Sequence, residues 1–149
     1  MKMTVETPTG PVILTEEDSA IVGCEWGRGG TETSAVLARA ARQLNEYFKE
    51  ERKAFDLPLQ VNGSEFQQRV CEAMLAIPFG QTRTYGEIAA DLGVPAQAVG
   101  QGCGGNPIPI LIPCHRVLGA NGLGGFSGRG GVETKVLLLR HEKAAGLLI

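Results

Sequence analysis

The sequence contains few of the residues that most often mark a metal site or a disulfide framework. Two histidines, His115 and His141, are its whole supply of imidazole, and its four cysteines are scattered, with no CxxC pair. A zinc site is therefore not expected, and no other metal site or cofactor is predicted. The opening residues, MKMTVETPTG, contain no apolar signal stretch, so we expect the cysteines to be reduced thiols of a cytoplasmic protein.

Long apolar runs and an excess of basic charge are also missing. No run approaches the ~20 residues of a membrane-spanning helix, and we expect no membrane partner. Fourteen Lys and Arg against sixteen Asp and Glu give a net charge of −2, which argues against a generally basic nucleic-acid binder. The charge is uneven, because residues 1–61 hold 7 basic and 10 acidic side chains whereas residues 62–149 hold 7 and 6. Any contact with DNA must come from a few cations in the second part.

The first 61 residues predict a small α/β domain. TPTGPVILT and AIVGCEW are short β-prone runs on either side of the turn-forming TEEDS, which together predict a hairpin. Apolar residues then recur at helical spacing from Leu37 to Phe48, after the cap candidates Thr33 and Ser34. Nothing in this domain indicates a chemical site.

The second predicted domain, residues 62–149, is mostly helical. Two capping boxes, S-x-x-Q at 64–67 and T-x-x-E at 84–87, predict the first turns of two helices. Gly93 ends the second helix, and Pro95 is well placed as the first residue of a third. Two short helices joined by a tight glycine-containing turn form the outline of a helix-turn-helix.

The third helix, PAQAVGQGCGG, has almost no side-chain bulk. Gly100 and Gly102 in its interior cost roughly 1 kcal/mol each relative to alanine. Either the helix packs closely against another element, or a DNA backbone or groove must approach it, with Gln97 and Gln101 as its polar arms. A helix that reads the major groove carries a row of long hydrogen-bonding side chains, so contact with the minor groove fits this helix better.

The segment NPIPILIPCHRV, residues 106–117, predicts an edge strand from Pro109 to Pro113 that presents Cys114 at a defined position. In an extended chain the next residue, His115, points to the opposite face, so the two side chains need a bend or a bridging water to interact. Glu142, near the end of the last helix, supplies a carboxylate that can orient the imidazole. Cysteine, histidine and carboxylate together indicate nucleophilic catalysis. A structural thiol and a peptidase-like hydrolase stay open as alternatives, although nothing marks an oxyanion hole.

NPIPILIPCHRV, followed by GANGLGGFSG and LLLRHE, resembles the O6-alkylguanine-DNA alkyltransferases. The similarity covers residues 64–149, and the first third fits the small α/β domain of that family. The resemblance implies an α+β fold, with a ribonuclease H-like α/β domain followed by a mostly helical, winged-helix-like domain that contains the helix-turn-helix.

The resemblance also implies a role for each matching residue. Cys114 is similar to the alkyl acceptor of the family, and His115 to the base that acts on the thiol through a water. Glu142 matches the carboxylate that orients the histidine, which completes a Glu–His–water–Cys relay. Asn106 resembles the hinge asparagine that ties the recognition helix to the active-site strand. Tyr85 resembles the tyrosine that contacts phosphate and helps to protonate the leaving guanine.

Other matching positions imply the substrate wall and the DNA contacts. The wall that holds the flipped base corresponds to Val117, Phe126 and Ser127. The DNA contacts correspond to Thr84, Ala96, Gln97, Ala98, Gly100, Gln101 and Arg116. The sequence departs from the family pattern at Gln97, where an intercalating arginine is usual, and at Phe126, where tyrosine is common.

The implied function is DNA repair by single-turnover transfer of an alkyl group from O6-alkylguanine, and by extension O4-alkylthymine, in double-stranded DNA. The protein would flip the damaged base, act as a monomer without a cofactor, and work in the cytoplasm, at the nucleoid in a prokaryote. One alternative is an alkyltransferase-like protein that binds lesions without transfer, and Cys114 counts against it because that group replaces the cysteine. The other is a helix-turn-helix transcription factor.

Overall fold

A three-stranded antiparallel sheet and one helix form the first part of the chain in the computed structural model, which describes residues 1–126 and 131–144. The strands are β1 (Lys2–Val5), β2 (Val12–Glu17) and β3 (Ala20–Trp26), in the order β1-β2-β3. The predicted β2–β3 hairpin is confirmed, and its turn residues Asp18 and Ser19 have φ angles of 49° and 64°. Strand β1 was not predicted, because it is short and lacks an apolar run.

Helix α1 (Ala35–Phe48) follows the sheet and begins where the sequence predicts. The hydroxyl of Ser34 accepts a hydrogen bond from the Leu37 amide, as expected of an N-cap. The buried face ends on Tyr47 rather than on Phe48, and the Tyr47 ring stacks on Phe55 with 5.2 Å between centroids. The helical spacing was therefore correct, but the face is rotated by one residue at its end.

The chain folds into two compact units, Met1–Asn62 and Gly63–Ile149. The second unit contains helices α2 (Glu65–Leu75), α3 (Tyr85–Leu92), α4 (Ala96–Gly104) and α5 (Val132–His141), the short parallel strands β4 (Arg83–Thr84) and β5 (Val117–Leu118), and a 3₁₀ turn at Cys114–Arg116. The mixed α+β class is confirmed. No helix within the described ranges is long and apolar enough to cross a membrane.

The helix-turn-helix is formed by α3 and α4. The Thr84 capping box is complete, with the Glu87 amide bonded to the Thr84 hydroxyl and the Glu87 carboxylate bonded to the Thr84 amide. Gly93 ends α3 in the left-handed conformation, at φ 69°. Pro95 is the N-cap of α4, so the helix begins one residue later than predicted.

Only half of the capping box predicted at 64–67 forms. The Ser64 hydroxyl accepts from the Gln67 amide, but the Gln67 side chain does not return to Ser64. Its Nε2 donates to the backbone carbonyl of Gly102 at 2.8 Å. A tertiary bond between α2 and α4 has replaced the local one.

The edge strand predicted from Pro109 to Pro113 is wrong, because this segment folds into a tight turn. The Ile112 amide donates to the Ile108 carbonyl at 2.8 Å, and Ile110 adopts a left-handed φ of 72°. The side chain of Asn106 closes the turn by donating to Ile112 O and accepting from Ile108 N, both at 2.9 Å. Backbone groups that a strand would pair with a neighbour are thus bonded within the segment.

Candidate active site

Cys114 and His115 lie on a single 3₁₀ turn that follows Pro113. The Cys114 amide donates to Ile112 O at 2.8 Å and the Arg116 amide to Pro113 O at 3.0 Å. The expectation that Cys114 and His115 point to opposite faces assumed an extended chain, and that premise is wrong here. Cys114 is 8% exposed and His115 is fully buried, so both side chains lie in the interior of the unit.

The surroundings of Cys114 have opposing effects on the pKa of its thiol. Burial raises its pKa above the ordinary value, whereas a hydrogen bond from the Asn106 side chain and the ammonium of Lys135 lower it. Asn106 is the residue that closes the preceding turn, and it directly follows the last turn of α4. The same amide therefore connects α4, the proline-rich turn and the sulfur.

His115 is fixed by a buried carboxylate. Its Nε2 lies 2.8 Å from Oε2 of Glu142, which is the residue that ends α5. Arg116 holds the same carboxylate, donating from Nε to Oε1 at 2.8 Å and from Nη2 to Oε2 at 2.9 Å. Both carboxylate oxygens are thus occupied, and neither Glu142 nor His115 has an exposed side-chain atom.

This arrangement determines the tautomer of His115. A carboxylate only accepts hydrogen bonds, so Nε2 carries the proton and Nδ1 holds a lone pair. Nδ1 is buried and makes no hydrogen bond within the described part of the chain. Burial lowers the pKa of His115 below its ordinary value and outweighs Glu142, which acts in the opposite direction. The imidazole is therefore neutral near pH 7 and has one nitrogen that can accept a proton.

Arg116, predicted as a DNA contact, requires a correction. Its guanidinium is buried, bound on two sides to Glu142, and its Nη1 donates to the Ile77 carbonyl at 2.6 Å. A cation committed to an interior carboxylate is not available to a phosphate. Arg116 therefore fixes the Glu142 carboxylate, and this carboxylate in turn fixes the His115 ring.

A cavity of about 440 Å³ opens next to the sulfur of Cys114. It is lined by Tyr85, Gly100, Cys103, Gly104, Cys114, Gly125 and Phe126. The two aromatic rings come from α3 and from the loop after β5, and the glycines come mainly from α4. Burial raises the pKa of Tyr85 above its ordinary value, so its hydroxyl is protonated at neutral pH.

The predicted wall residues fall in three different places. Phe126 lines the cavity, as just described. Val117 is fully buried in β5, and its carbonyl accepts a 2.6 Å hydrogen bond from Lys135 Nζ. Ser127 lies outside the described residues.

The residues predicted to contact DNA, apart from Arg116 and Thr84, lie on α4. Thr84 caps α3, Ala98 and Gly100 are half-buried, and the exposed positions are Ala96, Gln97 and Gln101. The sequence offered two explanations for the glycines, close helix packing or close approach of DNA, and each applies to a different glycine. A Cβ added at Gly102 would lie 2.9 Å from Val70 Cγ2, whereas one added at Gly100 meets no atom within 4 Å. Gly102 serves close helix packing, and Gly100 leaves the outer surface bare.

Two family models match the chain. One, described as "6-O-methylguanine DNA methyltransferase, ribonuclease-like domain", matches residues 1–61, and the other, "6-O-methylguanine DNA methyltransferase, DNA binding domain", matches residues 65–144. The chain belongs to the 6-O-methylguanine DNA methyltransferase family. The resemblance read from NPIPILIPCHRV is thereby confirmed, and so is the ribonuclease-like character of the first domain.

Relatives within this family resemble the chain over nearly its whole length. The methylated-DNA–protein-cysteine methyltransferase of Mycobacterium tuberculosis is 42% identical over 152 residues, covering 95% of this chain and 91% of the relative. The constitutive enzyme of the same name from Bacillus subtilis is 41% identical, covering 94% and 93%. The crystal structure of M. tuberculosis OGT in complex with DNA superposes with a TM-score of 0.85 at 41% identity, covering 95% and 92%.

Sequence reasoning missed two residues at the site of this methyltransferase family member. Cys103 is a second buried thiol in the cavity wall, and burial raises its pKa to about 12. Lys135 is fully buried on α5, where its ammonium donates to three backbone carbonyls. The spacing of Lys135 to Leu138 and Leu139 was the available signal, because residues three and four apart share a helix face.

Proposed function

We propose that the chain repairs DNA by moving an alkyl group from O6 of guanine to the sulfur of Cys114, once per molecule and without a cofactor. The observation that carries the proposal is a thiol that lines a cavity and is followed in the chain by a neutral imidazole held by a buried carboxylate. Membership of the methyltransferase family and relatives named methylated-DNA–protein-cysteine methyltransferases support DNA repair by alkyl transfer. A merely structural thiol would not need a base whose free nitrogen is kept neutral.

The reaction starts with loss of the thiol proton. His115 Nδ1 accepts the proton from Cys114, with a water as the bridge, while Glu142 stabilises the imidazolium that forms. The thiolate attacks the alkyl carbon, the sulfur–carbon bond forms as the carbon–O6 bond breaks, and the electron pair stays on guanine. Tyr85, at the cavity wall with a protonated hydroxyl, supplies a proton to the leaving base. The product is a thioether, which ends the activity of that molecule.

The alkyl carbon of a paired guanine is out of reach inside a duplex, so the nucleotide must rotate out of the stack. The cavity next to Cys114 is the place for the extruded base, with Phe126 as an apolar wall. The bare outer surface of α4 at Gly100 suits entry into the minor groove, because the helix backbone can approach the DNA closely. Gln97 is exposed on this helix, and we propose that it occupies the gap left by the base.

Several wider assignments follow from the same proposal. The domain of residues 62–149 binds DNA and accepts the alkyl group, and the domain of residues 1–61 supports it. A monomer is sufficient, because the thiol, base, carboxylate and cavity all belong to one chain. The substrate is cellular DNA, so the protein works in the cytoplasm, at the nucleoid in a prokaryote. O6-alkylguanine is the main lesion, and O4-alkylthymine is a second substrate to be tested beside it.

The deciding experiment is peptide mass analysis after reaction with a duplex that contains O6-methylguanine. We expect the Cys114 peptide to gain one methyl in place of its thiol hydrogen, and Cys114→Ala to gain none. Cys103→Ser is the matched control, since it removes the other cavity thiol and should react as the wild type does. Tight binding of the lesion without methyl transfer would favour the lesion-binding alternative, and sequence-dependent binding of undamaged DNA would favour a transcription factor.

A further inference from the structure

Lys135 is a fully buried cation whose three donors are all used by backbone carbonyls. Its Nζ donates to Val117 O at 2.6 Å, Leu123 O at 2.5 Å and Gly125 O at 3.1 Å. Within residues 1–126 and 131–144, no carboxylate pairs with it. A lysine side chain can leave its head in water when only its stem must be covered, so full burial of the ammonium calls for an explanation.

The first part of the explanation is the loop that the ammonium holds. Residues 119–125 contain four glycines and no helix or strand, yet the last of them lines the cavity. Two of the three carbonyls bonded to Lys135 belong to this loop. The loop lies so close to α3 that a Cβ on Gly124 would be 2.8 Å from a Tyr85 ring carbon. The ammonium thus ties two carbonyls of the loop to α5, in addition to the bridge between Gly119 and Gly122 within the loop.

The second part of the explanation is the positive charge of the Lys135 ammonium. The groups that face the ammonium are Tyr85 on α3, Cys103 on α4, and Cys114 and His115 on the 3₁₀ turn. Burial keeps the tyrosine hydroxyl and the Cys103 thiol protonated by raising their pKa values. It also keeps the imidazole neutral until His115 accepts the Cys114 proton, after which the charge of the imidazolium is balanced by Glu142. The thiolate of Cys114 is therefore the one anion among these groups at the moment of reaction.

Lys135 and Cys114 each shift the pKa of the other. The Lys135 ammonium lowers the pKa of Cys114. Burial lowers the pKa of Lys135 and the Cys114 thiolate raises it, and the net value is about 8. A thiolate in apolar surroundings needs such a neighbouring cation to become populated near neutral pH.

We propose that Lys135 is a positioning residue that fixes the loop 119–125 as the cavity wall and serves as the counter-charge of the Cys114 thiolate. The proposal rests on the proposed alkyl transfer, but it concerns a property of the thiol that can be measured without DNA.

The test is the pH dependence of Cys114 alkylation by iodoacetamide, followed in the Cys114 peptide by mass spectrometry. Lys135→Met removes the charge and the donors, Lys135→Gln keeps a neutral donor, and Lys135→Arg keeps the charge. We expect the first two variants to raise the midpoint by about one pH unit or more, which is about tenfold less thiolate at a given pH below the midpoint. Lys135→Arg and the control Lys49→Met, an exposed lysine of the first unit, should keep the wild-type midpoint.

Unchanged midpoints in folded Lys135→Met and Lys135→Gln would overturn the counter-charge role, as would a midpoint raised equally by Lys135→Arg. A measurement on the wild type alone covers the case in which the neutral variants fail to fold. The ¹³Cε resonance of Lys135 is titrated before and after Cys114 is capped with iodoacetamide. We expect the cap to lower the pKa of Lys135, and an unchanged value would overturn the proposal.

The loop role has its own readout, which also separates this proposal from the proposed function. Single-turnover methyl transfer should fall further in Lys135→Met than in Lys135→Gln at pH values where both thiols are equally ionised. Equal rates would contradict the positioning of the loop. Failure of the wild type itself to accept methyl from O6-methylguanine would instead contradict the alkyl transfer, and the iodoacetamide profiles would still decide the role of Lys135 in ionising the thiol.

Discussion

Arg116 and Glu142 form a two-point ion pair inside the second unit, with N–O distances of 2.8 and 2.9 Å and side chains that are 8% and 0% exposed. The pair matters because Glu142 also holds His115. Removing one member of a buried pair leaves an uncompensated charge in the interior, which costs far more than the loss of an exposed pair. The position of the imidazole therefore depends on an arginine that touches neither the thiol nor the cavity.

The first prediction concerns the stability that this pair protects. Arg116→Met should lower the free energy of unfolding by about 3–5 kcal/mol, because it leaves the Glu142 carboxylate buried without its main partner. Arg28→Met is the matched control, since Arg28 pairs with Glu6 where the side chains are 68% and 65% exposed. That loss should cost about 0–1 kcal/mol. Urea unfolding measures both, and similar costs for the two variants would refute the interpretation.

The second prediction separates two of the glycines of α4, Gly100 and Gly102. Gly102→Ala places a methyl 2.9–3.2 Å from the atoms of Val70, a stiff β-branched side chain, and should destabilise the protein by about 1–3 kcal/mol. Gly100→Ala meets no atom within 4 Å and should instead stabilise the helix by up to about 1 kcal/mol. Thermal unfolding gives both values.

The same pair of variants has opposite expected effects on DNA binding. Gly100→Ala adds a methyl to the surface proposed to enter the minor groove, and it should weaken duplex binding measured by fluorescence anisotropy. Gly102→Ala adds no methyl to that surface and acts on binding only through a shift of α4, so folded Gly102→Ala should lose less duplex affinity than Gly100→Ala. The reverse pattern would place the DNA on another surface.

The third prediction concerns Gln97, which is exposed on α4 at the position where the family usually carries arginine. Gln97→Arg should strengthen duplex binding and speed methyl transfer, since a longer cation fills the gap left by the base and adds a cation–π contact with the orphaned partner. Gln97→Lys is the control for charge alone. An arginine variant with unchanged duplex affinity and transfer rate would show that this position does not enter the stack.

The fourth prediction is an acid sensitivity that arises from His115. Burial lowers its pKa in the folded state, so below the ordinary histidine value of ~6.5 the unfolded chain binds a proton that the folded chain does not. Stability should therefore fall as pH drops from about 7 to 5, with this residue contributing up to about 1.4 kcal/mol per pH unit.

His115→Gln keeps a donor for Glu142 and cannot be protonated in this range. Its unfolding free energy should lose that part of the slope in urea titrations at pH 5, 6 and 7. His141→Gln is the variant that controls for the number of histidines. A slope in His115→Gln equal to that of the wild type would assign the acid sensitivity to other groups.

The elements that local chemistry dictates could be read from the sequence. The hairpin, the N-cap at Ser34, the complete box at Thr84 and the left-handed Gly93 all depend on residues within four positions of one another. The glycine-rich character of α4 was evident as well. What the sequence could not show was that Gly102 packs against Val70 of α2 whereas Gly100 faces no neighbouring atom, because that depends on the position of α2.

The errors came from side chains that form bonds outside their own segment or inside an unexpected turn. The apolar run Ile110–Ile112 looked like a strand, yet Asn106 bends it into a turn. Arg116 looked like a DNA contact because a surface arginine and a buried one are identical in a sequence. Lys135 was overlooked because lysine is rarely buried, and its three acceptors come from β5 and a loop that precede it in the chain.

The contact between Gly102 and Val70 has a consequence for the orientation of α4. A helix composed mostly of alanine and glycine has few side chains that can interlock with its neighbours, so little resists its rolling about its own long axis. The missing Cβ of Gly102, together with the 2.8 Å bond from Gln67 to its carbonyl, sets that rotation from the inner side. Gln97, Gln101 and Gly104 share the outer side of the helix, since they are spaced by three and four residues. The contacts with α2 thus determine which side of α4 faces a duplex, although α2 itself need not contact the DNA.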